Sequence, residues 1–290
     1  MSGPVILCAD DFALTSGVSR AIVDLAAHGR ISATSVLITQ PAAGRDAAGL
    51  RTLSGRLAIG LHLNFTLGRP LSAMATFAPG GTFPRTGTLV AASLRGSLPL
   101  TELSDEISRQ LQRFEDVFEM APDFVDGHQH VHALPGVRSV LFGTLRQRYP
   151  SRAILLRDPA CTPWRIARRG LAVPKALAIY GLTRGFGSEA RTQGFLTNDS
   201  FSGVTNFSVS ARAVRDDFRK AQRWPGPCHI VMCHPGFADA DLAVIDSVTA
   251  RRQIEYEVLI QSDVFAHGVW RPVRSADGSI VWPGQGGCPS

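Results

Sequence analysis

The chain has no window near the ~20 consecutive apolar residues that a membrane-spanning helix needs, so no span is expected. No signal peptide is expected either: residues 5–9 are a short apolar run stopped by two aspartates, too brief for a signal-peptide core and without a basic stretch before it. Cysteines are few, odd in number and irregularly spaced (Cys8, Cys161, Cys228, Cys233 and Cys288), with no CxxC pair. A disulfide scaffold and a thiolate zinc site are therefore disfavoured, and a reducing cytoplasm is the expected compartment. No run of five or six like charges occurs, and the net charge of +6 comes from scattered arginines such as Arg165, Arg168, Arg169, Arg251 and Arg252. Nucleic-acid binding is not expected; mild attraction to anionic substrates is as much as the charge supports.

What the chain does have is 44% hydrophobic and 19% charged residues over 290 positions, enough for one large soluble core. Short apolar runs alternate with helical patterns, as in βαβ units. Strands are predicted at residues 5–9, 33–39, 57–63, 123–126, 153–157, 229–233 and 270–273. Helices are predicted at 17–28, 42–53, 101–118, 137–148, 210–222 and 248–266, with Thr101 and Ser210 as N-caps. Two Gly/Pro-rich stretches, 66–99 and 159–203, are expected to be insertions shaping a site. The reading is one α/β domain over residues 1–274, an irregular TIM-like barrel of about seven parallel strands with loop insertions over its C-terminal face. A patternless Gly/Pro-rich tail, 275–290, follows.

Most of these strands run out into acidic, basic or histidine residues, at the end where α/β folds build active sites. Residues 5–9 lead into Asp10-Asp11. One carboxylate could cap the following helix; two directly after an apolar strand are harder to explain so. In an extended chain the pair would point to opposite faces. His62 shares a face with Gly60 and Asn64, and the glycine removes bulk beside the imidazole, which suits a site. After Asp126 come His128, His130 and His132 at alternate positions, which in an extended segment would share one face. Three imidazoles are seldom buried without a role, and neutral imidazole is a common metal ligand. His234 is followed by Pro235, which cannot continue a strand, so the chain turns where the histidine is presented. Arg157 ends the fifth strand and can pair with one of the aspartates or with solvent-exposed acid; His229 is expected to pack or to meet solvent. One arrangement explains most of these residues: a divalent ion held by Asp11, His62 and one of the three histidines. Asp10 would then accept a proton from water and His234 would protonate a leaving group.

The motifs carry a resemblance. Ala9-Asp10-Asp11-Phe12 with Leu14-Thr15, Gly29 with Ser32-Ala33-Thr34-Ser35, Gly60-Leu61-His62-Leu63-Asn64, Asp126 through His132, and Met232-Cys233-His234-Pro235 are similar, in this order, to the YdjC-like carbohydrate deacetylases. That family includes chitooligosaccharide deacetylases and a hopanoid-associated deacetylase. The resemblance implies a TIM-like barrel that removes N-acetyl groups from amino sugars with one divalent ion, Mg2+ or Zn2+. It implies Asp11, His62 and His128 as ligands and Asp10 as base. It leaves His234 as acid or orienting group, and His130, His132, Arg157 and Asn64 as substrate-binding or supporting residues. Where the family usually has glycine after Asp-Asp-Phe, this chain has Ala13; a positive φ there would cost about 1 kcal/mol. The expected partner is an N-acetylated sugar, oligomeric state is open with a homodimer as one option, and neither nucleic-acid binding nor a membrane span is expected. The rival readings are a metal-dependent phosphoesterase or another amidohydrolase on the same barrel, and a sugar-binding protein with a dead site.

Overall fold

The computed structural model describes residues 4–246, 248–261, 264–265 and 267–284. Eight strands form a single all-parallel sheet: β1 (Ile6–Phe12), β2 (Ala33–Val36), β3 (Ala58–Leu63), β4 (Phe124–Gly127), β5 (Leu155–Leu156), β6 (Leu196–Thr197), β7 (Ser200–Ser202) and β8 (His229–Cys233). Their hydrogen-bonded order is β6-β5-β4-β3-β2-β1-β8-β7. The sheet curls into a half-barrel ringed by helices, the TIM-like architecture expected. Its two outermost strands, β6 and β7, lie in the stretch 159–203 and escaped the sequence reading because they are only two and three residues long. Only Asn198 and Asp199 separate them in the chain. The Asn198 amide stitches that break, donating to the carbonyls of Asp158 (2.9 Å) and Ser200 (3.1 Å).

The two faces of the sheet bury different clusters, as the period-two geometry of strands requires. Leu7, Ala9, Ile59, Leu61, Val125 and Val231 face the helices, packing with Leu103, Ile107, Leu111 and Phe114 of helix Leu100–Phe118. Ile6, Cys8, Ala33, Ala58, Phe124, Ile230 and Met232 face the interior. Continuing that inner row up each strand leads from Ile6 and Cys8 to Asp10, from Ala58 and Gly60 to His62, from Phe124 to Asp126, and from Ile230 and Met232 to His234. The barrel interior is thus apolar at the amino ends of the strands and chemical at their carboxyl ends.

Gly60 is not bare space beside His62. A Cβ on it would lie 2.6 Å from the ring of Phe124, so the glycine admits a neighbouring strand's aromatic into the interior. Below this layer the chain's last described residues plug the half-barrel: Trp282 packs edge-on to Phe124 (6.0 Å) and stacks with Trp270 (5.3 Å). The predicted strand 270–273 is absent. Trp270 donates to the Val5 carbonyl (2.8 Å), beside an isolated Val5–Val269 bridge, but Pro272 has no N–H to extend a ladder. The tail is likewise not wholly patternless, since Ile280 and Trp282 belong to the inner core; residues 285–290, including Cys288, lie outside the described residues. The other four cysteines are buried free thiols. No helix among the described residues is long and apolar enough to cross a membrane.

Ser210 caps its helix as expected, accepting from Ala213 N–H; the helix predicted from residue 17 begins at Ser16, after Thr15, whose side chain accepts from Val18 N–H. Thr101 is not a cap: that helix begins at Leu100, after Pro99. The last helix runs Thr249–Gln261, and residues 262, 263 and 266 of the predicted span lie outside the described residues. Acids in the first turns of the helix Leu100–Phe118 hold the chain that precedes it. Glu102 accepts from Thr76 and Phe77 N–H, and buried Glu106 from Leu71 and Ser72 N–H and the Ser72 hydroxyl. These bonds clamp the insertion 66–99, which is not structureless: it contains the helix Thr86–Arg95 and an edge-to-face cluster of Phe77 and Phe83 on Phe65.

Candidate metal centre

A cavity of about 580 Å³ opens at the carboxyl ends of the strands, lined by Asp10, Asp11, His62, His128, His130 and His234, and also by Lys175, Phe207 and Arg252. Its volume suits a small organic ligand. Both aspartates reach it, contrary to the opposed directions expected of an extended pair. The reason is local: Asp11 has φ 70° and β1 changes register between Ala9 and Phe12, which turns both carboxylates toward the interior. Ala13 follows with φ 73°, the left-handed geometry for which glycine is the unstrained choice.

Asp11 divides its two oxygens. Oδ1 lies 3.0 Å from His128 Nδ1 and 3.3 Å from His62 Nε2, while Oδ2 accepts from Arg252 Nη2 at 2.6 Å. One donor atom from each of Asp11, His62 and His128 falls within 4.8 Å of the others. His62 is oriented from behind: its Nδ1 meets Asp126 Oδ1 at 2.6 Å and the Ser35 hydroxyl at 3.0 Å, leaving Nε2 for the centre. A carboxylate behind a histidine is the usual support of a metal-binding imidazole. Two imidazoles, one carboxylate and a buried orienting acid together fit a divalent cation. Burial alone would lower the His62 pKa, but Asp126, Asp11 and Asp10 together raise it to about 10.

Asp10 sits one layer deeper. Arg157, fully buried, grips it with two bonds (Nη1–Oδ1 2.7 Å, Nη2–Oδ2 2.8 Å) and lies 2.9 Å from Asp126 Oδ2. Of the two pairings open to Arg157, the structure has the one with interior carboxylates. Burial would raise the Asp10 pKa; the Arg157 guanidinium, with His62 and His234, overrides it and holds the carboxyl below its ordinary range. A second cluster, Cys8 with Asp10 and Asp126, also has donors within 4.8 Å of each other. Its charge is already met by Arg157, and burial followed by Asp10 drives the Cys8 thiol up and away from ionisation, so it does not suit a cation.

The three alternating histidines do not share a face. Gln129 and His130 have φ 54° and 61° inside a short 3-10 turn, which rotates successive side chains apart. His128 joins Asp11. His130 lines the cavity edge-on to Phe201 (5.6 Å). His132 turns into the core, donates from Nε2 to the Arg157 carbonyl (2.7 Å) and packs on Phe186 (5.2 Å). Burial brings its pKa down to about 4, so it is neutral near pH 7. Asn64 is also buried outside the cavity lining. Its amide donates to Thr39 Oγ1 and the Leu67 carbonyl and accepts from Thr66 and Leu67 N–H, fixing two residues that do line it.

His234 is presented at the cavity by the turn at Pro235, and its backbone N–H donates to Glu255 Oε2 (2.7 Å). Burial lowers its pKa. His229, at the start of β8, is buried and bonded to the Ser200 hydroxyl (2.7 Å) and the Ala221 carbonyl (3.0 Å), far from the strand ends that carry the site. Sequence reasoning missed two participants. Asp126 opened the histidine motif without a role, although it pairs with His62 in register across β3 and β4. Arg252 looked like one more scattered cation; nothing local in sequence says that it reaches Asp11.

The chain matches the family model described as YdjC-like protein over residues 4–267. A chitooligosaccharide deacetylase from Klebsiella pneumoniae (strain 342) is 30% identical over 82% of this chain and 84% of its own length. One from Salmonella typhi is 30% identical over 94% and 98%. With another so named from Enterobacter sp. (strain 638), identity is 36% over 46% of this chain, about half (52%) of that relative's length. Among solved structures, a protein from Enterococcus faecalis V583 described as a cellobiose-phosphate cleavage protein has the same fold, with a TM-score of 0.66 at 22% identity over 91% of this chain and 93% of that one. With the family model spanning the sheet, the cavity and every residue of the Asp11 centre, the chain belongs to the YdjC-like family.

Proposed function

We propose that this protein is a metal-dependent hydrolase that removes acetyl groups from an N-acetylated amino sugar, a chitooligosaccharide or glycoconjugate, and releases acetate. The observation that carries this reading is the convergence of Asp11, His62 and His128 within 4.8 Å of one another in a cavity that also presents Asp10 and His234. The names of the relatives, chitooligosaccharide deacetylase, supply the substrate class. A divalent cation held by those three side chains would polarise an amide carbonyl and bring the pKa of coordinated water toward ~7.

The chain's own groups then have these tasks. Asp10, kept ionised and aimed by Arg157, accepts the proton of the attacking water. That proton then goes to the departing nitrogen, with His234 on the cavity wall placed to relay it. Asp126 fixes His62, and Arg252 fixes the second oxygen of Asp11. Free, buried thiols at the four described cysteines agree with a cytoplasmic setting.

Acetate release measured over chitobiose, longer chitooligosaccharides and glycolipid acetamides, with metal analysis of the same preparation, tests the reading. Asp10→Asn should lower turnover by roughly 10²–10⁴-fold while metal stays bound. Phosphate release without acetate release, or full turnover in Asp10→Asn, would overturn the assignment.

A further inference from the structure

Two of the chain's four tryptophans stand on the surface, side by side. Trp164 is 52% exposed and Trp224 46% exposed, yet their rings meet edge to face with centroids 6.2 Å apart. Trp164 lies in the helix Pro163–Arg169, and Trp224 follows the helix Ala211–Ala221. Each indole carries a guanidinium: Arg165 is 5.1 Å from the centre of Trp164, and Arg168 is 5.4 Å from the centre of Trp224. Large apolar rings grouped in water mark interaction surfaces more often than isolated ones do.

The backbone holds the pair against its own preference. Trp224 has φ 56°, a left-handed geometry that a bulky residue adopts only when its surroundings impose it. Arg169, 3% exposed, imposes it: its guanidinium donates to the carbonyls of Arg223 (2.7 Å), Trp224 (3.0 Å) and Phe201 (2.7 Å). Phe201 belongs to β7, which runs on into Gly203 and Val204 on the cavity wall. The two indoles are therefore anchored, through one buried arginine, to the segment that lines the candidate metal centre.

We infer that Trp164 and Trp224, with Arg165 and Arg168, form a second sugar-binding surface that takes a chain of N-acetylated sugars. Pyranose rings stack their C–H faces on the indoles while the guanidiniums donate to hydroxyls and acetamide carbonyls. The identity of the sugar rests on the deacetylase reading above. The arginines supply direction, since deacetylated sugars carry ammonium groups that they repel, so the surface favours substrate over product. They also argue against a second copy of this chain, whose own arginines would meet them across a two-fold axis.

The test is titration of the hexamer of N-acetylglucosamine, followed by tryptophan fluorescence and by calorimetry, in the Asp10→Asn background so that the ligand persists. The hexamer should blue-shift the emission. The double substitution Trp164→Ala and Trp224→Ala should weaken binding at least tenfold while leaving hydrolysis of the disaccharide unchanged in the otherwise native chain. A hexamer of glucosamine should bind at least tenfold more weakly than the acetylated one. Equal hexamer affinity with and without the two indoles, or equal affinity for both hexamers, would overturn the proposal. So would tighter, salt-sensitive binding of single-stranded DNA at the indoles, or a dimer that the double substitution dissolves. Because binding needs no turnover, failure of acetate release with hexamer binding intact would count against the catalytic reading alone.

Discussion

Replacing Asp126 with asparagine probes the centre without touching any atom proposed to hold the ion. Asp126 is fully buried and contacts His62 Nδ1 at 2.6 Å and Arg157 Nη1 at 2.9 Å. Asparagine keeps the shape and one accepting oxygen but removes the charge that makes the His62 ring a stronger donor toward the centre. Loss of such a supporting contact costs 10- to 100-fold in metal affinity. At a metal concentration 100 times the wild-type dissociation constant, bound metal stabilises the native protein by about 2.7 kcal/mol. A 100-fold weaker variant would gain only RT ln 2, about 0.4 kcal/mol, at that same concentration. Metal would then raise the melting temperature of the variant by several degrees less than that of the wild type, since ~1 kcal/mol is worth roughly 2–4 °C in a protein near this size. Paired thermal melts of chelator-treated protein, with and without added Zn2+ or Mg2+, measure this difference directly, and calorimetric titration gives the affinity itself. An unchanged metal-induced shift in Asp126→Asn would refute the reasoning, because it would mean that His62 does not face the ion through the nitrogen opposite Asp126.

Acid should destabilise the fold through His229, whose pKa burial lowers to about 3. A depressed native pKa means that the unfolded chain binds more protons between pH 6.5 and 3, so stability is intact above 6.5 and is lost as pH falls through that window. Between pH 7 and 5 this histidine alone accounts for about 2 kcal/mol; denaturant unfolding of His229→Gln should show a correspondingly smaller loss, and an equal loss would contradict the assignment. Trp282→Ala removes the plug of the half-barrel and should cost roughly 3–5 kcal/mol in the same assay, whereas a cost under 1 kcal/mol would place the tail outside the core. Glu106→Ala strips the acceptor from Leu71 and Ser72 and should speed amide exchange at those two residues more than at the strands; unaltered exchange there would show that the insertion is held by its phenylalanines alone.

Strand ends were the most legible feature of the sequence, and the reason is visible in the inner row of each strand. The runs at β1, β3, β4 and β8 are apolar until the chain clears the packed layer of Phe124, Met232 and Cys8, and only then turn to Asp10, His62, Asp126 and His234. A change from apolar to ligating residues in one short run therefore reports position along the barrel axis directly. Side-chain direction was less legible, because the alternation rule presumes extended backbone. It failed at Asp11, Gln129 and His130, three non-glycine residues with positive φ inside the very motifs that carry the chemistry. Nothing in their identities announces that geometry; the strain is imposed by neighbours and appears only once the sheet is assembled.

The arginines show the remaining limit. Arg157 and Arg252 neutralise the two adjacent aspartates from 147 and 241 residues away; its place at a strand end pointed to Arg157, but nothing in the sequence pointed to Arg252. Yet the requirement for them could have been derived. Asp10, Asp11 and Asp126 are all buried, and three carboxylates sharing one pocket cannot all stay ionised without compensating charge. A single divalent ion at Asp11 leaves the deeper pair, Asp10 and Asp126, unbalanced. At least one buried cation had to come from elsewhere in the chain, and Arg157, standing at the end of an apolar strand, was placed to supply it. Its removal, as in Arg157→Met, should accordingly cost more stability than loss of Arg252, whose second partner Asp246 is partly open to solvent. Breaking a buried pair by deleting one partner costs roughly 3–5 kcal/mol, and Arg157→Met breaks two such contacts at once. Comparing the denaturant midpoints of the two variants decides the point, and an equal or smaller loss in Arg157→Met would mean that Asp10 and Asp126 share a proton instead of a guanidinium.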